Sequence, residues 1–368
     1  MRRGNRIDDF LADRIAAGDF PGASYLVGER SGVVAEGALG RSAVEPESHD
    51  ATPQTLYDLA SLSKPLATAL LASHLQGKGV LRLEDPLSRH LPAWAPADAR
   101  ANVTLLDLLT HRSGLPAWLP FYIHAADRDR RVEWLLRRPL EAEPGRRVVY
   151  SDPGYILLGF ALEHATGRPL DRLFAERVAR PLNLDDATYR PLEPPASIPR
   201  ARIAAGERGT ARERDLAGPE GEGYNGWRTG IIWGTVHDQN AFTLGGVAGH
   251  AGLFGTARAV YRLAQECLWP GGRVMPPPAA ALFRSSLTPG LEEERSVGFQ
   301  LASTAGSSAG AALPPTAFGH TGFTGTSVWI DPVAGRIHVL LTNRLHPRFA
   351  PLDMNAVRRD FHAIAAAL

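Results

Sequence analysis

Apolar side chains at Ile7, Phe10, Leu11, Ile15 and Ala16 recur at helical spacing, which predicts an amphipathic helix over residues 6–18 closing at Gly18. The period then shortens. ASYLVGE (23–29) and GVVAEGALG (32–40) flank an Arg-Ser-Gly turn and predict a β-hairpin. Near the other end, TSVWIDP and RIHVLLTN flank Pro-Val-Ala-Gly and predict a second hairpin, followed by a closing helix over 354–368. Between the two ends, roughly 65–190, the pattern is mostly helical, clearest in PLATALLASHLQG, TLLDLLTHRSG and GYILLGFALEHATG.

The expected fold is therefore α+β: an antiparallel sheet flanked by the N- and C-terminal helices, with a mostly helical lobe inserted. Residues 1–60 plus 255–368 would form the sheet domain and 61–254 the helical lobe, with the active site where they meet. Residues 204–230, rich in glycine and charge, predict a long surface excursion, a candidate lid. Residues 305–316 predict a second, low-complexity loop.

Composition adds exclusions. The formal net charge of +1 and the absence of long single-sign runs give no basis for nucleic acid or an acidic membrane surface as partner. A small-molecule ester, amide or peptide substrate is the default. No apolar stretch is long enough for a membrane span. The first residues carry no apolar run of the signal-peptide kind, so a cytoplasmic location is expected, or a periplasmic one if an export segment is missing. The single cysteine, Cys267, excludes an internal disulfide and predicts a small buried side chain. No metal or other cofactor is implied.

Three short motifs carry the chemistry. Ser61-Leu62-Ser63-Lys64 precedes an apolar helical run, so the Ser61 hydroxyl and the Lys64 amine fall on one face at a helix start. The chain has 40 Lys plus Arg but only two lysines, Lys64 and Lys78. A lysine kept against an apolar helix points to a group that must lose its proton, which arginine does not do. Burial would lower its pKa. Pro65 disfavours helical geometry at Lys64 and so places the helix start at the motif itself. The second motif is Tyr150-Ser151-Asp152-Pro153-Gly154, with Asp152 a candidate N-cap and Pro153 suited to the first helical position. A tyrosine beside a cationic lysine would have its pKa lowered and could act as general base. The third is His320-Thr321-Gly322, which leads towards a strand whose N–H groups could meet a substrate.

In this order the motifs resemble those of the penicillin-recognising serine hydrolases: class C β-lactamases, D-alanyl-D-alanine carboxypeptidases and related esterases. LASLSKPLAT resembles the nucleophile motif, LLTHRSGLP a helix-to-loop segment, YSDPGYILLG the Tyr-Ser-Asn motif, and GHAGLFGTA a glycine-rich start of a helical-lobe element. HTG resembles the Lys-Thr-Gly or His-Thr-Gly triplet on the sheet's edge strand. The resemblance implies Ser61 as nucleophile, Lys64 as its proton partner and Tyr150 as base and then acid. It implies the Ser61 and Phe323 amides as the oxyanion hole, and Asp152, His320, Thr321, Gly322 and Trp118 along the substrate. Asp152 in place of Asn, His320 in place of Lys and Trp118 in place of a polar residue point away from an efficient β-lactamase and towards a peptidase or esterase. A class C β-lactamase and a catalytically silent penicillin-binding module are the alternatives.

Other patterns compete less well. Gly306-Ser307-Ser308-Ala309-Gly310 fits G-x-S-x-G but lies in predicted loop, where a nucleophile elbow needs a strand before it and a helix after. His237, Asp238 and His250 could serve a metallohydrolase but lack a short ligand spacing. GGVAGHAGLFG lacks both the G-x-G-x-x-G pattern and a P-loop lysine.

Overall fold

A computed structural model describes residues 6–94, 98–125 and 127–368. Both predicted hairpins form and join one sheet. Its strands are β1 (Gly22–Glu29), β2 (Gly32–Ala43), β3 (His49–Asp50), β4 (Gln300–Leu301), β5 (Phe318–Thr321), β6 (Ser327–Asp331) and β7 (Arg336–Thr342). They lie in the order β3-β2-β1-β7-β6-β5-β4, every pair antiparallel. The two chain ends meet where β1 pairs β7, with Tyr25 opposite Leu340 and Leu26 opposite Val339.

Alternation along these strands explains the layers. Tyr25, Val27 and Leu340 share a core with Ile7 and Leu11 of α1 (Arg6–Ala16) and with Val357 and Phe361 of the C-terminal helix. Leu26, Val339 and Leu341 join the opposite core. Successive side chains of a strand point to opposite faces, so the central strands β1, β6 and β7 are buried on both sides. The second face is covered by α4 (Ala257–Leu268), whose core continues into α2 (Leu70–Gly77) and α3 (Asp152–Thr166) of the helical lobe, while α5 (Met354–Ala366) closes the first. Among the described residues no helix is long and apolar enough to cross a membrane.

Three expectations change. Residues 204–230 are no loose excursion: Ala205–Arg208 pairs with Ile231–Trp233, and Ala211–Ala217 is helical. Two of its charged side chains, Glu213 and Arg228, turn inward, whereas Arg208, Arg214, Asp215, Glu220 and Glu222 stay exposed. Glu213 accepts from the Gln239 amide at 2.7 Å, and Arg228 donates to the Val236 carbonyl at 2.6 Å and to Gln239 Oε1 at 2.9 Å. The nucleophile segment does not start as a regular helix. A 3-10 turn at Ala60–Leu62 and a π-helical stretch at Lys64–Ala69 precede α2, with Pro65 in the first turn of that stretch, where a missing N–H is tolerated. Asp152 is not the N-cap of α3. Ser151 is, with extended φ −123° and ψ 115°, and its Oγ accepts from the Gly154 N–H at 3.1 Å. Asp152 and Pro153 fill the first turn.

Candidate active site

The nucleophile turn is held from three sides. Ala60 adopts a left-handed φ of 48°, and its N–H donates to Asp58 Oδ1 at 2.9 Å. Ser63 Oγ donates to the Ala60 carbonyl at 2.7 Å and accepts from the Leu253 amide at 3.1 Å. A non-glycine residue in this conformation persists only where its surroundings enforce it. Behind it, Thr68 Oγ1 donates to the Gly249 carbonyl at 2.7 Å. A Cβ on Gly249 would sit 2.0 Å from the Tyr155 carbonyl oxygen, so the glycine-rich segment is glycine because α3 crosses it at backbone distance.

This scaffold brings the first two motifs together. Lys64 is 0% exposed, and its Nζ donates to Ser61 Oγ at 2.9 Å and to the His250 carbonyl at 3.3 Å. The ammonium pairs with Asp152 Oδ1 at 2.7 Å and stands 4.7 Å from the centre of the Tyr150 ring. Burial is the largest influence on Lys64 and pulls its pKa down, but Asp152 and Tyr150 together outweigh it, and the net shift is upward. Tyr150 is also raised: burial dominates, Asp152 adds to it, and the hydrogen bonds with Lys64 and Ser61 offset only part. The sequence expectation of a depressed lysine and a depressed tyrosine is therefore corrected in both cases. It omitted the Asp152 carboxylate beside Lys64 and the full burial of Tyr150. At rest the pair is an ammonium and a phenol.

The Tyr150 ring is held by His111, whose ring centre is 4.4 Å away and whose Nδ1 accepts from the Ser151 amide at 2.9 Å. On the open side Arg295 approaches the same ring to 5.3 Å and His320 to 5.8 Å. Burial, then Arg295 and Lys64, hold the pKa of His320 well below the ordinary imidazole value, so the ring is neutral. Its Nδ1 lies 2.8 Å from the Thr321 carbonyl, which makes that nitrogen the donor.

The third motif packs directly on the nucleophile turn. A Cβ on Gly322 would meet Thr326 Oγ1 at 2.1 Å, the Leu59 carbonyl at 2.7 Å and Ala60 Cβ at 3.3 Å. Only glycine fits between β5 and the turn carrying Ser61. The cavity in front, about 540 Å³, is bordered by Ser61, Tyr150, His320, Thr321, Gly322 and Phe323, and its border also carries Glu293, Arg295, Arg344 and Arg358. A wider cleft of about 1200 Å³ beside Phe160 and Arg128 includes none of the three motifs. The site is assigned to the smaller cavity because the nucleophile and its proton partners converge there.

Residues 7–363 match the sequence family described as Beta-lactamase. The chain belongs to the beta-lactamase family. This is a family of serine hydrolases, and the fold is its β-lactamase/transpeptidase-like fold. Among curated relatives, a protein of Escherichia coli K12, named provisionally as a D-alanyl-D-alanine carboxypeptidase, is 32% identical over 96% of this chain and 85% of its own length. A Bacillus subtilis 168 protein named N-acetylmuramyl-L-alanine amidase is 32% identical over 93% and 81%. Solved structures of similar fold include EstCE1, described as a hydrolase with promiscuous acyltransferase activity, with TM-score 0.74 and 21% identity over 97% of both chains. The octameric penicillin-binding protein homologue from Pyrococcus abyssi superposes with TM-score 0.72 and 19% identity over 100% of this chain and 77% of that one.

Two residues expected along the substrate of this beta-lactamase family member sit elsewhere. Asp152 turns onto Lys64 and does not border the Ser61 cavity, and neither does Trp118, which is half-buried in the loop after Pro116. The candidate metal set rearranges as well. His237 lies 3.4 Å from Glu207, while Asp152, Asp238 and His250 gather within 4.8 Å of one another. Their carboxylates already have partners, the Lys64 ammonium for Asp152 and a hydrogen bond with His250 Nε2 for Asp238 at 2.9 Å. Ser308 accepts from Trp329 Nε1 at 3.1 Å, and the residues around it form turns, without the strand and helix of a nucleophile elbow. His111, Arg295, Arg344 and Arg358 were missed by sequence reasoning. In a chain where nearly every cation is Arg, no local signal separates these arginines from surface ones.

Proposed function

We propose that this chain is an acyl-serine hydrolase of the D-alanyl-D-alanine peptidase or esterase type, with Ser61 as nucleophile. The observation that carries the reading is the 2.9 Å contact between Lys64 Nζ and Ser61 Oγ beneath a neutral Tyr150. Because both pKa values are raised, the Lys64–Tyr150 pair first releases one proton to solvent. The pair then accepts the Ser61 proton as Oγ attacks the substrate carbonyl. Tyr150 returns a proton to the leaving oxygen or nitrogen, which gives the acyl-enzyme, and water reverses the sequence to free the acid. The Ser61 and Phe323 amides are the donors for the oxyanion. Arg344 borders the cavity without a carboxylate partner among the described residues and suits an anionic group such as a peptide's terminal carboxylate. The carboxypeptidase name of the E. coli relative and the amidase name of the B. subtilis relative support a peptide or amide substrate.

The test is acylation by a fluorophosphonate, read by intact mass and peptide mapping, in wild type and Ser61→Ala. A single adduct at Ser61 is expected, absent from the variant. An undiminished adduct in Ser61→Ala would reject the assignment. Turnover of a short-chain ester, a D-alanyl-D-alanine peptide and a chromogenic cephalosporin then ranks esterase, peptidase and β-lactamase. Failure of all of them to acylate the chain would leave a silent binding module.

A further inference from the structure

The short turn between β5 and β6 contains the Gly322–Phe323 peptide, and its carbonyls are tied down one after another. The Gly322 carbonyl accepts from Arg358 Nη2 at 2.7 Å and from the Gly325 amide at 3.0 Å. Arg344 Nε donates to the Phe323 carbonyl at 2.8 Å, Thr342 Oγ1 to the Thr324 carbonyl at 3.1 Å, and Arg358 Nη2 also to the Thr326 carbonyl at 2.9 Å. The Phe323 N–H has no acceptor among the described residues. Arg358 is 5% exposed, held in turn by Asn355 Oδ1 at 2.8 Å, and reaches the turn from the first turns of α5. No carboxylate among the described residues forms an ion pair with it; Asp353, five residues before it, pairs with Arg359 at 3.6 Å.

We propose that Arg358 is a positioning residue, which fixes the Gly322–Phe323 peptide plane so that the Phe323 N–H faces the cavity beside Ser61. In a trans peptide the C=O and N–H point in opposite directions, so a carbonyl held from the α5 side commits its N–H to the other. A charged donor on that carbonyl also polarises the peptide and makes the N–H a stronger donor. Arg344 holds the next carbonyl, and rotation of the Phe323 amide is blocked from both ends. The inference rests on reading the Ser61 and Phe323 amides as the oxyanion donors.

The experiment uses the full chain as wild type, Arg358→Ala and Arg358→Lys, with p-nitrophenyl acetate as a substrate without a carboxylate. Benzeneboronic acid serves as a mimic of the tetrahedral intermediate. Removing one oxyanion donor costs about 10²- to 10³-fold in kcat, and a misaimed donor costs part of that, so Arg358→Ala should lose about 10- to 100-fold in kcat. KM should change little, and boronate affinity should fall in step with kcat. Added guanidinium should restore part of the rate, and Arg358→Lys, which keeps one donor, should lie between. A folded Arg358→Ala with wild-type kcat and boronate affinity overturns the proposal. So does a loss seen only with a D-alanyl-D-alanine peptide, which would make Arg358 a ligand of the substrate carboxylate. If Arg358→Ala does not fold, a folded Arg358→Lys with wild-type values overturns it. Fluorophosphonate mapping of the wild type in the same preparation separates the two layers: no label at Ser61 rejects the hydrolase reading, whereas label with unchanged variant rates rejects the positioning role alone.

Discussion

Two buried cations flank the Ser61 cavity and are treated differently by their surroundings. Lys64 lies against a carboxylate, 2.7 Å from Asp152, and its pKa is raised despite complete burial. Arg358 lies among neutral backbone carbonyls, and burial lowers its pKa to about 9. The lysine shares hydrogen bonds with Ser61 and Tyr150, so its proton belongs to a chain that reaches the reacting oxygen. The arginine's Nη1 and Nη2 donors end on the protein's own oxygens. A buried charge with a dissociable proton and a titrating neighbour suits chemistry, whereas a planar guanidinium on carbonyls suits geometry.

The largest effect that could break this comparison is at Lys64. Lys64→Arg keeps the charge and removes the exchangeable proton, and turnover of any substrate should fall on the order of 10⁴-fold or more. Steady-state assays beside a melting curve check it, and activity within about tenfold of wild type in a folded variant would make Lys64 a structural cation like Arg358. Tyr150→Phe should cost about 10²- to 10⁴-fold, the range for losing a general acid–base group. Its ring contacts with His111 and Arg295 would remain, so a near-silent variant would reduce the tyrosine to packing.

Asp152 sharpens the comparison through pH. Its carboxylate raises the pKa of both Lys64 and Tyr150. The reactive form is the pair minus one proton, so kcat/KM should climb as pH rises through the pair's elevated pKa. Asp152→Asn removes that influence and should move the acid limb down by about one to three pH units, the usual effect of one opposite charge at contact. Below the wild-type limb the variant should be faster with an ester and with a cephalosporin alike. A gain confined to the cephalosporin would instead place residue 152 on the substrate's amide. Ser151, not Asp152, caps α3, so the substitution leaves the helix start intact.

The smallest effect concerns a third set of buried basic groups, which has no counter-charge at all. His338 and His362 lie between the sheet and α5 with ring centres 5.7 Å apart, and none of their four ring nitrogens has a hydrogen-bond partner among the described residues. Burial holds His338 down at about 3 and His362 well below its ordinary value. Both are neutral when folded and protonate in the unfolded chain below about pH 6.5. Their contribution to stability is thus intact above about pH 6.5 and declines as pH falls below it, by about 1.4 kcal/mol per pH unit for each histidine. For His338 the decline ends near pH 3. Denaturant titrations at pH 7.5 and 5.5 should show His338→Leu losing about 1.4 kcal/mol less than wild type over that interval. Equal losses in the two proteins would mean that His338 protonates in the fold.

Periodicity by itself determined the two terminal hairpins, the flanking helices and the helical middle, because alternation and 3.6-residue spacing are local consequences of burying one face. The nucleophile tetrad was legible for the same reason, since positions 61 and 64 are neighbours on any helical turn, regular or π. Proton affinities were not legible. Asp152 reverses the expected shift of Lys64, and burial above all reverses that of Tyr150; the Asp152–Lys64 contact is set by the crossing of α3 over the nucleophile helix, 88 residues apart in sequence and 2.7 Å in space. The same holds for Arg358, more than thirty residues from Gly322 along the chain. Its sequence neighbours say only that it rides an amphipathic helix; that its guanidinium ends on the carbonyl behind the Phe323 amide follows from how α5 docks on the sheet. Local pattern fixes which residue types face inward, while electrostatics and hydrogen-bond direction depend on distances that only the packed chain defines.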